Sequence, residues 1–302
     1  MDRTPPLTIA QLDERLEEAS RELGVPIARV RRMLCTLIAS QMLPRAVVIK
    51  GGMGVKLRLG ERGTRATADL DVATRERGEA FENEFRDLLA AGWGAVPASK
   101  GALRKDPSAP DRVAFTATLR ERPTHDPGLD RPQYVMHPYR VTFSFLGREW
   151  AALDVEVSDP EIEPRAHGLR SVDAELVTLS ERFGFGALEP VQLIDLEHQI
   201  AQKLHAVTDP GYARAHDLVD LQLLWEAGPD VAAVRELSRR TFAFRRAQTW
   251  PPLPLRQMDG WQDAYAEARA ETEVDGSTFV LHDLASARRW LAEVITAVES
   301  AR

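Results

Sequence analysis

Apolar residues mark out the chain's elements before any chemistry is considered. Ile9, Leu12, Leu16, Ala19 and Leu23 recur at steps of three and four, with Thr8 ahead as an N-cap and Gly24 behind as a stop. That spacing predicts an amphipathic helix. A second helix starts near Pro26, carries Ile27, Val30, Leu34, Leu37 and Ile38, and ends before Pro44. Val47-Val48-Ile49 is a short, mostly β-branched run and reads as a buried strand, broken by Gly51-Gly52. A short amphipathic segment sets Val55, Leu57 and Leu59 against Lys56 and Arg58, and a polar loop leads to a strand at Asp69-Leu70-Asp71-Val72. Phe81, Phe85, Leu88 and Leu89 predict a helix over 77–91, followed by an irregular polar stretch to Asp111.

Strict alternation then takes over. Residues 112–119 read as a strand, 121–137 as a Pro- and charge-rich loop, and 139–146 with 149–157 as a hairpin turning through Leu146-Gly147-Arg148. In the last strand Leu153, Val155 and Val157 fall on one face, Asp154 and Glu156 on the other. Residues 159–190 read as irregular. Helices are predicted over 191–207, 213–227, 231–248, 260–272 and 281–300, the first two joined by the turn Thr208-Asp209-Pro210-Gly211. Strands crowd the first half and helices the second. The fold class is therefore α/β (α+β), with a mixed sheet in residues 1–158 and a mainly helical domain in 159–302.

At 302 residues the chain is long enough to bury a sizeable core, and its net charge of −7 argues against a surface coated in basic groups. A local basic cleft remains compatible with that charge. The single cysteine, Cys35, permits no internal disulfide and sits in an apolar helical run, which reads as an inert core position. The N-terminal stretch is acidic and lacks the apolar run of a signal peptide, and no stretch is long and apolar enough to span a bilayer, so a cytoplasmic location is expected.

Chemistry concentrates between Val47 and Asp71. Residues two apart in a strand share a face, so Asp69 and Asp71 present two carboxylates side by side. Two such charges repel unless a proton or cation lies between them, and a hard divalent cation bridging to phosphates suits the pair. The double glycine offers backbone N–H groups to a phosphate, with Lys50, Lys56, Arg58, Arg62 and Arg65 nearby in sequence. Asp154 and Glu156 are alternatives for a third metal-binding or basic carboxylate, and spacing does not choose between them. In the helical hairpin Lys203 either forms a salt bridge with Asp217 or Asp220 that fixes two helices, or binds phosphate with Asp220 orienting it or the attacking hydroxyl. His125 and His137 have no ligand partners at a recognisable spacing, and Gly184-Phe185-Gly186 reads as a turn.

The KGG stretch with the DLD strand, the DVEVS strand, and QIAQKLHAVT followed by RAHDLVDLQLL stand in order over most of the chain. Together they resemble the AbiEii/MenT family of toxin nucleotidyltransferases, within the superfamily that shares a polymerase-β-like palm. The resemblance implies metal at Asp69 and Asp71, with Glu156 as the strand carboxylate, and catalytic roles for those three with Lys203 and Asp220. For nucleotide phosphates the candidates are Lys50, Gly51, Gly52, Arg58, Arg65 and Arg214. It further implies Mg²⁺ or Mn²⁺ as cofactor and an NTP as substrate. The expected reaction transfers NMP, preferentially pyrimidine, to the 3′ end of tRNA, blocking aminoacylation and translation. A cognate antitoxin encoded nearby is the expected partner, and Thr67 is the position at which some members are silenced by phosphorylation. Met53 departs from the family, which often carries a hydroxyl residue after the double glycine. Two other readings stay open: a kinase-like phosphotransferase acting on protein, including itself at Thr67, and an inactive binding partner that keeps only the fold.

Overall fold

The computed structural model describes residues 4–76, 78–123, 136–162, 169–211, 213–255, 259–272 and 279–301. In chain order the elements are α1 (Ile9–Leu23), α2 (Ile27–Ser40), β1 (Val48–Ile49), α3 (Gly51–Leu59), β2 (Leu70–Ala73), α4 (Glu79–Ala91), β3 (Trp93–Val96), α5 (Lys100–Lys105) and β4 (Arg112–Glu121). They continue with β5 (His137–Phe145), β6 (Arg148–Ser158), β7 (Leu169–Arg170), α6 (Ala174–Phe183), β8 (Val191–Gln192), α7 (Leu196–Val207), α8 (Ala215–Glu226), α9 (Val231–Arg245), α10 (Trp261–Ala270) and α11 (Leu284–Ser300). These pack as two compact units. The first comprises 1–49, 68–159 and 169–192; the second comprises 50–67, 160–168 and 193–302.

The first unit is built on a six-stranded mixed sheet in the order β1-β2-β6-β5-β4-β3. Only the β2–β6 pair is parallel. Register explains the alternation in the sequence. Ala117, Phe143 and Ala151 stand in a row across the sheet, as do Leu119, Val141 and Leu153, and Tyr139, Val155 and Leu70. That face is buried, and Phe81 of α4 meets the Tyr139 ring on it at 6.3 Å. The opposite face is polar and carries the residues of interest below. The β5–β6 hairpin closes through Leu146 at φ 49° and Gly147 at φ 80°. Two consecutive positive φ values are what a two-residue hairpin turn needs to follow the strands' twist.

Helix α1 starts as predicted: the Thr8 hydroxyl accepts from the Gln11 N–H at 3.2 Å, and Gly24 closes the helix at φ 69°. Cys35 is buried in α2, and burial pushes its thiol up to about 12, which keeps it protonated and inert. Two stretches read as irregular hold structure. Residues 92–111 contain β3 and α5, and 159–190 contain α6. Helix α6 was legible after all: Asp173 caps it through the Glu175 N–H at 2.9 Å, and Leu176, Leu179 and Phe183 form its buried stripe. The surrounding prolines and glycines masked that short period. Gly184-Phe185-Gly186 is a turn, with Phe185 packed against Phe115 and Phe145.

The second unit is helical. Its core gathers Ile200 and Leu204 of α7, Leu218 and Leu221 of α8, Phe242 of α9, Trp261 and Tyr265 of α10, and Leu291 of α11. Trp290 is half-buried against the same cluster. Helix α7 starts five residues later than the pattern suggested, because Val191–Gln192 pairs with β7 instead. Among the described residues no helix is long and apolar enough to cross a membrane.

Candidate active site

In the first unit the chemistry lies on the polar face of the sheet. Leu70 and Val72 are buried while Asp71 and the preceding Asp69 are half-buried, so the two acids share the outward face. Parallel pairing sets Asp71 directly opposite Glu156, and Leu70 opposite Val155. Burial raises the Asp69 carboxyl above its ordinary pKa, and the charge of Asp154 adds to this, while Arg32 and Arg122 pull the other way. Asp154 itself is neutralised by two guanidinium groups, Arg140 Nη1 at 2.9 Å and Arg122 Nη1 at 3.2 Å. The two candidates for a third carboxylate differ in place: Asp154 is held by arginines, and Glu156 stands opposite Asp71. Among the described residues no group of three or more His, Cys, Asp or Glu side chains is drawn together as a formed metal centre.

The second unit holds the glycines and the lysine. Gly51 opens α3 at φ 63°, a conformation other residues avoid. The Gln199 side-chain amide of α7 donates to the Gly51 carbonyl at 2.9 Å, which ties the double glycine to the lysine helix one turn before Lys203. Gly52 is required for space: a Cβ there would lie 2.7 Å from Arg65 Nη2 and 2.9 Å from Thr67 Oγ1. Thr67 and Arg65 therefore pack directly on the glycine backbone.

Lys203 reaches across the α7–α8 hairpin and donates to Asp217 Oδ1 and Asp220 Oδ2, both at 2.7 Å. Arg65 grips Asp220 with a two-pronged contact, Nε to Oδ1 and Nη2 to Oδ2, each at 3.0 Å. The four groups form a charge-balanced, largely buried network. Burial opposes the charge on Lys203, but Asp220 and Asp217 outweigh it and hold its pKa above the ordinary value. Burial likewise opposes the Asp220 charge, and Lys203 with Arg65 outweighs it, keeping this carboxyl below its usual range. Lys203 has three N–H donors and spends two of them here. Asp220 spends both oxygens. The salt bridge expected from spacing is present and takes in both Asp217 and Asp220, of which sequence reading placed only Asp220 among the catalytic candidates. The signal for Asp217 was its position three before Asp220, on the same helix face.

The remaining basic candidates divide. Lys56 is buried in an ion pair with Glu61 at 2.8 Å, so it serves the second unit's interior rather than a phosphate. The Arg58 guanidinium donates to the Ile194 carbonyl and anchors the chain ahead of α7. Lys50 is half-buried just ahead of α3, and Arg214 is exposed at the start of α8. Arg245 clasps Glu161 at 2.6 and 3.0 Å, and Arg239 pairs with Glu299 at 3.0 Å, so these two arginines of α9 are matched by acids. His137 lies in β5, and His125 falls outside the described residues.

Each unit thus carries a candidate group of its own: acids on the polar face of the sheet in the first, and a double-glycine helix start with a lysine held between two acids in the second. The chain matches the family model of the AbiEii nucleotidyltransferase toxins of type IV toxin–antitoxin systems over residues 32–294, and it belongs to that family. It is therefore a nucleotidyltransferase. Among solved structures the fold is similar to MenT4, a nucleotidyltransferase toxin of Mycobacterium tuberculosis. The two share 18% identity and a TM-score of 0.52 over 98% of this chain and 100% of that one. This likeness bears out the expected α/β fold. No curated protein matches the chain.

Proposed function

We propose that this enzyme transfers a nucleoside monophosphate, with a pyrimidine base preferred, from an NTP to the 3′ end of tRNA. The observation that carries the reading is the parallel register that sets Asp71 opposite Glu156 on the sheet's polar face, with Asp69 two residues before Asp71 and its carboxyl raised by burial and by Asp154. Negative groups crowded there gain from a cation, and these carboxylate oxygens suit Mg²⁺ or Mn²⁺. Asp69 and Asp71 would hold that cation, with Glu156 beside them. When bound it would supply charge neutralisation at the nucleotide phosphates.

The chain's own residues are assigned as follows. The 3′-hydroxyl oxygen of the acceptor attacks the α-phosphorus, the new O–P bond forms, and the bond to the β-phosphate oxygen breaks to release pyrophosphate. Glu156 takes the hydroxyl proton. Lys203 presents its remaining N–H to phosphate oxygens as charge develops there. Asp220 is a positioning residue, because both its oxygens are already bound and its low pKa disfavours taking a proton. Asp217 and Arg65 share that task. The backbone N–H groups at Gly51 and Gly52 face the phosphates, with Lys50, Arg58 and Arg214 contributing positive charge. Blocked aminoacylation would follow from the added nucleotide, and a cognate antitoxin would restrain the enzyme.

The test uses purified protein, total tRNA, Mg²⁺ and each of four α-labelled NTPs, with Asp69→Ala in parallel. Label on tRNA from the wild type alone, strongest with CTP or UTP, is the expected result. Label on the protein from γ-labelled NTP, with none on RNA, would instead establish the phosphotransferase reading at Thr67.

A further inference from the structure

The polar face of the sheet does not end at the carboxylates. Across β5 and β4 the same face continues as Arg140, Thr142 and Ser144, then Thr116, Thr118 and Arg120, with Arg122 just beyond the end of β4. Register places Arg120 directly opposite Arg140, and Arg140 directly opposite Asp154. Arg120, Arg122 and Arg140 are all exposed. Against these three cations the row offers one carboxylate, Asp154, which Arg122 and Arg140 already share. Arg120 makes no ion pair or hydrogen bond among the described residues.

Two arginines facing each other across neighbouring strands repel, and such pairs destabilise a sheet. An anion laid between them turns that repulsion into attraction. The rest of the row is threonine and serine hydroxyls, with no large apolar side chain, so it lacks the anchor that a protein partner needs. Arginine forks and hydroxyls are the groups that hold phosphate backbones without reading bases. Same-face side chains along a strand repeat about every 6.6 Å, on the scale of one nucleotide step in an extended strand. The row also begins next to the acids: Asp154 lies one pleat from Glu156, whose neighbour is Asp71.

We propose that the Arg120–Arg140–Arg122 half of this face is the docking track for the sugar–phosphate backbone of the acceptor RNA. The inference rests on the RNA reading above and names the surface that would bring the 3′ end to the carboxylates. It also bears on how a chain of net charge −7 holds a polyanion: this row of one sheet sets three exposed arginines against one carboxylate.

The test measures binding of a 5′-fluorescein-labelled single-stranded RNA by anisotropy over a range of NaCl concentrations, without NTP. Arg120→Ala, Arg120→Glu and Arg120→Lys are compared with the wild type, and CTP–Mg²⁺ affinity is titrated separately. Arg120→Ala should flatten the log K against log salt slope by about 0.7, the loss of one single-strand phosphate contact. Arg120→Glu should weaken RNA binding several-fold further and Arg120→Lys should restore it, all at unchanged nucleotide affinity. Because removing Arg120 relieves repulsion, its melting temperature should stand at or above that of the wild type. Wild-type slope and affinity in Arg120→Glu would overturn the proposal, as would absence of RNA binding by the wild type. So would a fall in nucleotide affinity in step with RNA affinity, which would give the track to the triphosphate. If RNA binding depends on Arg120 but no nucleotide is transferred to tRNA, the function proposed above fails and the track stands. Transfer to tRNA with binding indifferent to Arg120 overturns the track alone.

Discussion

Two sets of acids in this protein have opposite surroundings. On the sheet of the first unit, Asp69, Asp71 and Glu156 are half-buried, Asp71 stands opposite Glu156, and burial with the nearby Asp154 raises the Asp69 carboxyl. In the helical unit, Asp220 is buried, accepts from Lys203 and from both prongs of Arg65, and is held below the usual carboxylate range. The first arrangement gathers acids on one face of a sheet, where carboxylate oxygens suit a divalent cation. The second is already neutralised and satisfied. The function proposed above gives its chemistry to carboxylates of the first kind, whereas Asp220 fixes the groups around it.

The sharpest way to break this contrast is to neutralise one member of each set. Asp69→Asn should lower transfer by about a thousandfold or more, the scale of losing one charge-stabilising group. Its thermal stability should stay within about 0.5 kcal/mol of the wild type, because a repulsion is removed rather than an attraction. Asp220→Ala should do the reverse in its primary effect. It leaves Lys203 and Arg65 buried without their acid and should cost about 3–5 kcal/mol of folding stability, read by urea unfolding. Equal stability losses in the two variants would erase the distinction.

A smaller effect separates the two strand acids. Glu156→Gln should reduce kcat by at least about a hundredfold, whereas Asp154→Asn, already paired with Arg122 and Arg140, should reduce it by less than about tenfold. Parallel kcat measurements decide this, and a greater loss in Asp154→Asn would reverse the assignment. Gly52→Ala tests the link between the glycines and the network. The added methyl meets Arg65 Nη2 at 2.7 Å, so Arg65 must leave its seat on Asp220. A rise of about tenfold in KM for NTP is expected, at a cost of about 1–3 kcal/mol in stability.

The smallest effect is a pH dependence that belongs to the helical unit alone. Burial, with Arg245 beside it, pushes His205 down from 6.5 to about 4. Between those values the unfolded chain binds a proton that the folded chain refuses, so stability falls as pH drops through that window and is complete above it. The melting temperature should therefore decline from pH 7 to pH 4.5, and His205→Gln should flatten the decline. A wild-type profile that is already flat would show His205 to be ordinary.

Much of this was legible in the sequence, and the reason is local. Thr8 and Gly24 bound α1 through hydrogen bonds and a left-handed φ that involve only near neighbours. Alternation in 149–157 assigned Leu153, Val155 and Val157 to one face and Asp154 and Glu156 to the other, because a strand repeats every two residues. Leu146-Gly147 closed the hairpin because the turn depends on two φ values. Where local signals were short or interrupted, as at β3, α5 and α6, the pattern failed, since elements of two to ten residues leave too few repeats to stand out among prolines and glycines.

Pairing was not legible. The choice between Asp154 and Glu156 needed the β2–β6 register and the arginines that arrive from β5 and from just beyond β4. Arg65 and Asp220 are separated by 155 positions, and nothing along the chain says that one grips the other. Lys56 and Arg65 look alike in sequence, yet one is consumed by Glu61 in the interior and the other by Asp220. Sequence by itself determined which residues carry charge, which faces are apolar and where most elements begin and end, because those follow from side-chain chemistry and the period of the backbone. Only the tertiary structure decided which charges meet, as Arg65, Lys203 and Asp220 do, because that depends on neighbours brought close in space from distant parts of the chain.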